Sequence, residues 1–225
     1  MSATACPCHG AYNTGVPNAD GPHYVWMAFL HLDNGDYRQE EWGRDYRFLP
    51  MNRLTCWLSN SDVYHCQLFF WRQADDCFET ISVDANQREV FADRQKQFSY
   101  GWTFLRLQVT QQQERRMYTW LRAQLGKPFN MPGALMLFVR PVPTWGTSWF
   151  CSQLGVAALQ AAGFFADVQP EAVNPAQLMH MLQTAGEMPV LESTHPVRTK
   201  QLWRRVDEHV ANGTRPAANE RLFDF

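Results

Sequence analysis

The chain has 225 residues, of which 45% are hydrophobic, 14% aromatic and only 19% charged, with a formal net charge of −2. That length suits one large domain, or one domain with extensions, and the apolar content is ample for a core. With no basic excess, neither nucleic acid nor an anionic membrane is an expected partner. No apolar run is long enough to form a transmembrane segment. Met1–Gly15 lacks the basic and apolar regions of a signal peptide, so secretion by that route is not expected.

The six cysteines are Cys6, Cys8, Cys56, Cys66, Cys77 and Cys151. Without a secretory signal they read as free thiols rather than a disulfide framework. Cys6-Pro7-Cys8-His9 has the look of a metal-binding fragment. No second pair follows at zinc-finger spacing, so no structural zinc is expected.

Residues 1–22, rich in Gly, Pro, Asn and Ala, read as an irregular N-terminal arm. Tyr24–Leu32 reads as a buried strand, and Asp33-Asn34-Gly35-Asp36 as a turn. Residues 36–60 are mixed and read as loops with short helical pieces. Strands are then predicted at Val63–Trp71, Phe78–Val83 and Arg88–Phe91, in the manner of an antiparallel meander. Thr103–Val109 alternates, with Leu105, Leu107 and Val109 on one face and Arg106 and Gln108 on the other. Gln111–Leu125 has helical spacing, with Met117, Trp120, Leu121 and Leu125 on one face, and Gly126 and Pro128 as its stop. A Pro-rich loop, Arg140-Pro141-Val142-Pro143, leads to the clearest helix of the chain. A further short helix starts at Asn174-Pro175. Residues 184–225 read as a polar C-terminal extension with one helix around Gln201–Val210.

The clearest helix opens with Trp149-Phe150-Cys151-Ser152-Gln153-Leu154 and stops at Gly163. Phe150, Leu154, Ala157, Ala158 and Ala161 recur at helical spacing and mark a buried face. Thr147 or Ser148 can cap its start. Cys151 then lies in the first turn, where free N–H groups and the helix dipole favour negative charge. Such a position lowers a thiol pKa and offers donors to an oxyanion. A cysteine beside Trp and Phe is also an ordinary small core residue. Reactivity needs a partner base.

Seven histidines compete for that role. His9 and His23 fall in or beside the arm, and His180, His195 and His209 lie in the C-terminal part. His31 ends the first strand beside a turn. His65 alone sits inside a strong strand, on a face expected to carry Val63, His65, Gln67 and Phe69. Gln67 is thereby placed to touch the His65 ring. Alternation puts Cys66 on the opposite face, away from any nucleophilic role.

The order of strand histidine, meander, helix and helix cysteine resembles the circularly permuted NlpC/P60 (papain-like) cysteine hydrolases. The likeness is greatest to their branch in large DNA viruses, which includes a poxvirus virion protein. Four segments carry the resemblance. Tyr64-His65-Cys66-Gln67-Leu68-Phe69-Phe70 is similar to the family's His-x-Glu strand. Leu125-Gly126-Lys127-Pro128-Phe129-Asn130 is similar to its Gly-x-Pro-Phe-Asn turn. Trp149-Phe150-Cys151-Ser152-Gln153-Leu154 is similar to its Phe-Cys-Ser-Glu-Leu nucleophile segment. Val173-Asn174-Pro175-Ala176-Gln177-Leu178 is similar to the helix start beyond it. Together they cover about residues 24–183.

The resemblance implies an α+β permuted papain-like fold over residues 23–183, an antiparallel sheet packed against the nucleophile-bearing helix. It implies Cys151 as nucleophile, His65 as base and Gln67 as the group that orients the base. Gln67 and Gln153 stand where the family often has Glu. A glutamine carbonyl can orient an imidazole but adds no charge to stabilise an imidazolium. Glu79 or Ser82 on the next strand is the alternative orienting group, and Gln153 reads as structural.

The implied activity is hydrolysis or acyl transfer at an amide, ester or thioester bond of a peptide or lipid. No metal and no organic cofactor is called for. The resemblance also implies a location in the virion or the host cytoplasm and capsid or other virion proteins as partners. A papain-like structural protein of the virion, without turnover, is the alternative. Of the remaining residues, Asn130 can line a cleft or cap a turn. Trp145, Trp149 and Phe150 can wall an acyl pocket, although core packing is the favoured reading. Arg115-Arg116 and Arg204-Arg205 read as solvated helix faces.

Overall fold

The structure is a computed structural model that describes residues 23–32, 49–72, 77–95, 97–98, 102–138, 146–184, 188–193 and 197–198. Its centre is a six-stranded antiparallel sheet in the order β4-β3-β2-β1-β6-β7. The strands are β1 (His23–His31), β2 (Val63–Arg72), β3 (Cys77–Val83), β4 (Val90–Gln95), β6 (Trp102–Val109) and β7 (Met188–Ser193). A two-residue ladder joins β5 (Gln97–Phe98) to β8 (Val197–Arg198). The helices are α1 (Leu49–Ser59), α2 (Gln111–Arg122), α3 (Met131–Met136), α4 (Cys151–Ala161) and α5 (Pro175–Thr184). The fold is thus mixed α+β around an antiparallel sheet, and no helix among the described residues is long and apolar enough to cross a membrane.

Both faces of the central strands are buried, which explains why β1 reads as a continuous apolar run rather than an alternating one. On one face Met27, Leu68, Ile81 and Leu105 pack against α2, α4 and α5. On the other, Trp26, Phe69, Phe78, Trp102 and Phe104 form an aromatic cluster with edge-on ring contacts. β7 lies beyond residue 183, so the sheet continues into the segment that reads from sequence as an extension. The N-terminal arm, Trp145 and the helix expected at Gln201–Val210 lie outside the described residues.

Local chemistry accounts for the helix ends. Thr110 caps α2 through a reciprocal box: its hydroxyl accepts from Gln113 N at 3.1 Å, and Gln113 Oε1 accepts from Thr110 N at 2.9 Å. Asn174 and Gln177 repeat the device at α5, at 2.8 and 2.9 Å. α4 ends in a Schellman arrangement, with Gly163 at φ +92° and Phe164 N donating to Leu159 O at 3.1 Å. Two expectations need correction. The N-cap of α4 is Phe150, which has no side-chain acceptor, rather than Thr147 or Ser148. α2 stops at Arg122, before Gly126, and Met131–Met136 forms the helix α3 that sequence spacing did not separate from its loop.

One charged group lies at the junction between sheet and helices. Glu79 on β3 accepts from Arg72 Nε of β2, and its other oxygen accepts from Tyr118 Oη of α2 at 3.0 Å. Arg72 also stacks over the Tyr118 ring at 4.1 Å. Removing one member of such a cluster strands the others in a poorly solvated place. Glu79→Ala should therefore destabilise the protein by about 3–5 kcal/mol, and Glu79→Gln by less. Urea denaturation measures both, and a loss under about 1 kcal/mol would show that the cluster does not hold this junction.

Candidate active site

α4 is an apolar helix whose residues Ser152–Leu159 are all buried. It lies against β2 and α2. Its start is pinned on two sides. Ser152 Oγ donates to Val173 O at 2.7 Å, and Asn130 N donates to Trp149 O at 2.7 Å. Gln153 Oε1 accepts from Phe150 N at 3.4 Å, the structural role expected of it. Because no side chain caps α4, the first-turn N–H groups of Cys151, Ser152 and Gln153 remain oriented along the helix axis beside the thiol.

The Cys151 sulfur is held by two residues of β2. It is hydrogen-bonded to the side chains of Cys66 and His65, and it also accepts from the Cys66 backbone N–H. The Cys66 S–H is the largest influence that lowers the Cys151 pKa well below its ordinary value. Burial opposes it, and the His65 hydrogen bond and charge add to the lowering. The reciprocal effect raises the Cys66 pKa well above its ordinary value: burial first, then the hydrogen bond and charge of Cys151. Cys151 is therefore the thiolate of the pair and Cys66 the thiol.

Of the three residues expected at the site, the structure brings Cys151 and His65 together. Gln67 Nε2 is buried without a hydrogen-bond partner among the described residues. Glu79 is engaged by Arg72 and Tyr118, on the face of β3 opposite Ser82. Ser82 Oγ is buried and unpartnered among the described residues, and the Leu68↔Ile81 register carried one step further sets Ser82 opposite Gln67. Among the described residues no carboxylate bonds to His65. The His65 ring instead meets Trp102 edge-on, with centroids 6.3 Å apart.

The expected strand face also needs correction. Val63 joins the helix-side core with Cys66, Leu68 and Phe70, whereas Phe69 joins the aromatic cluster on the far side. The cause is a bulge. Leu30 of β1 faces His65 and His31 faces Val63, which leaves Tyr64 as the extra residue. A bulge bends the strand and re-aims its side chains. Here it turns Val63 to the helix side, while the register from His65 to Phe69 stays regular and leaves Cys66 on the face that packs against α4. Alternation alone sets Cys66 apart from His65 and does not tell which helix covers its face.

The other candidates have structural roles. His31 has both ring nitrogens engaged, by Asp62 Oδ2 at 3.0 Å and Thr103 Oγ1 at 2.8 Å, across the bulged end of the sheet. His180 is exposed on α5. Asn130 caps α3, its Oδ1 accepting from Gly133 N at 2.9 Å. Trp149 is buried against Trp120 at 5.3 Å, and Phe150 is buried as well, so both are core residues.

Site-resolved alkylation distinguishes these thiols. An ordinary thiol is only a few per cent ionised at neutral pH. Cys151 should react fastest of the described cysteines, with a rate that stays level from mildly alkaline to mildly acidic pH and falls only below its lowered pKa. Cys56, pushed up to about 11 by burial and by Asp62, should react slowly throughout. Cys66→Ala and His65→Ala should each move the Cys151 inflection to higher pH. Peptide mapping by mass spectrometry reads each site separately, and an unshifted inflection in Cys66→Ala would show that its S–H does not stabilise the thiolate.

No family model matches the chain, and no curated protein or solved structure was found to be significantly similar to it.

Proposed function

We propose that the protein is a papain-like cysteine hydrolase or acyltransferase of the permuted type, with Cys151 as nucleophile and His65 as base. The observation that carries this reading is the Cys151 thiol in the first turn of α4, hydrogen-bonded by the ring of His65. The order of the segments, a histidine strand before a cysteine helix packed on an antiparallel sheet, supports the permuted form.

The chemistry is acyl transfer through sulfur. The Cys151 thiolate attacks the carbonyl carbon of an amide, ester or thioester, and the charge moves to the carbonyl oxygen. The N–H groups at the start of α4 stabilise that oxyanion. Collapse expels the amine, alcohol or thiol, which leaves with the proton that His65 holds. Water, or an acceptor nucleophile, then gives a proton to His65 and releases the acyl group from Cys151.

A second reading has a specific observation behind it. His65 has no carboxylate partner among the described residues, and the Gln67 amide nitrogen bonds to nothing there. A histidine with no carboxylate behind it suits a protein that keeps the fold as a virion component without turnover, with capsid proteins as partners.

Activated acyl esters separate the two. With p-nitrophenyl esters of graded chain length, the enzyme reading expects an acyl adduct on Cys151 by intact mass and peptide mapping. Cys151→Ala should abolish it, at a stability cost on the order of 1 kcal/mol. His65→Ala should slow acylation by about 10²–10⁴-fold at neutral pH, the usual contribution of a general base. Folded wild-type protein that forms no adduct, or an adduct that persists in Cys151→Ala, would favour the structural reading.

A further inference from the structure

The Cys66 thiol has no place in the acyl-transfer scheme beyond its hydrogen bond, yet it is the nearest partner of the nucleophile. Cys66 is 1% exposed, on a central strand that packs against α4, and it belongs to the core cluster against which Cys151 packs, its side chain hydrogen-bonded to the Cys151 sulfur. Cys151, as a residue, is only partly buried. The four described cysteines are all free thiols. Cys56 is bound to a backbone carbonyl, with its Sγ 3.2 Å from Asp62 O. Cys77 lies at the opposite end of its strand pair, facing Arg72. Cys66 and Cys151 alone among these form a thiol–thiol contact.

We propose that Cys66 and Cys151 form a redox-modification site, in which Cys151 is oxidised by a hydroperoxide and Cys66 resolves the product to an intramolecular disulfide. The Cys151 thiolate attacks the terminal peroxide oxygen. The O–O bond breaks, Cys151 becomes a sulfenic acid, and the alkoxide or hydroxide that leaves takes a proton from solvent to depart as alcohol or water. The Cys66 sulfur then attacks the Cys151 sulfur. The S–S bond forms and the S–O bond breaks, and the hydroxyl departs as water with the Cys66 proton. A dithiol reductant reverses the modification by becoming a disulfide itself.

Two features of the contact favour the second step. Burial holds the Cys66 proton in place, and the hydrogen bond and charge of the Cys151 anion add to it. Conversion of Cys151 to the neutral sulfenic acid removes the charge, so Cys66 becomes easier to deprotonate when it is needed. The sulfurs must also close from hydrogen-bond contact to about 2.05 Å. Cys151 is the first residue of α4, and a helix end moves at less cost than its middle. The disulfide protects the nucleophile from irreversible oxidation and silences it until it is reduced. The inference rests on the thiol pair and not on acyl transfer.

The test uses the full chain with hydrogen peroxide in modest molar excess, followed by alkylation, proteolysis without reductant and mass spectrometry. The expected result is a crosslinked peptide pair containing Cys66 and Cys151, and loss of Cys151 alkylation that dithiothreitol fully restores. Cys66→Ser keeps a hydroxyl donor to the sulfur but cannot form the bond. In that variant peroxide should drive Cys151 to sulfinic and sulfonic acid, and dithiothreitol should restore little alkylation. The wild-type crosslink is read without any variant, so a Cys66→Ser protein that fails to fold leaves the test intact. Sulfinic acid at Cys151 of the wild type with no Cys66–Cys151 peptide, or pairing of Cys151 with Cys6 or Cys8 instead, would overturn the proposal. A crosslink in a protein that takes no acyl group would remove the hydrolase reading and leave this one standing.

Discussion

The seating of α4 against β2 governs the arrangement of this molecule. A helix buried from Ser152 to Leu159 has no solvent face to spare, so it must be enclosed by the sheet on one side and by α2 and α5 on the others. Gly155 makes the approach possible: a Cβ there would stand 3.3 Å from both Leu178 Cδ2 and Met27 Cε. A helical glycine costs about 1 kcal/mol relative to alanine, a loss that close helix–strand packing offsets. Because α4 lies so close, its first turn delivers Cys151 onto the strand that carries His65 and Cys66. The chemistry of the site follows from the packing of the core.

That delivery sets the electrostatics. A thiol in a core would ordinarily resist ionisation. Here three contacts on the sulfur, from the Cys66 S–H, the His65 ring and the Cys66 N–H, outweigh burial. All three come from two consecutive strand residues, which a regular strand would point in opposite directions. The bulge at Tyr64 lies immediately before this pair and changes the face of Val63. The hydrogen bonds of His31 to Asp62 and Thr103 hold β1, the link before β2, and β6 together at the same end of the sheet.

The two proposed chemistries would draw on one anion. Acyl transfer would use the Cys151 thiolate with His65 as proton carrier. Disulfide formation would use the same thiolate with Cys66 as the neighbouring thiol. The cluster of Arg72, Glu79 and Tyr118 works at a distance from both. It fixes α2 to the sheet and so closes the far side of the α4 seat. Glu79 is thus committed to the framework and is lost to His65 as a partner.

The sequence by itself determined the secondary structure around the site, because the relevant signals are local. The apolar period and Gly163 define α4, the Asn174-Pro175 pair defines the start of α5, and runs of β-branched and aromatic residues define β1, β2, β3 and β6. It also singled out Cys151 and His65, each by its place in its own element. Tertiary structure decided what those elements do to one another. The strand alternation that sequence relies on holds only for a regular ladder, and the register slip between Leu30 and His31 depends on which strand β2 pairs with. For that reason the face of Val63 was misassigned, whereas the role of Cys66 was hidden because it depends on α4 packing against that face of β2. The occupation of Glu79 depended on an arginine and a tyrosine from two other elements, and the membership of β7 in the sheet on pairing with a strand 80 or more residues earlier. Long-range pairing and buried charge are settled by which surfaces meet, and residue order along a chain does not encode that locally.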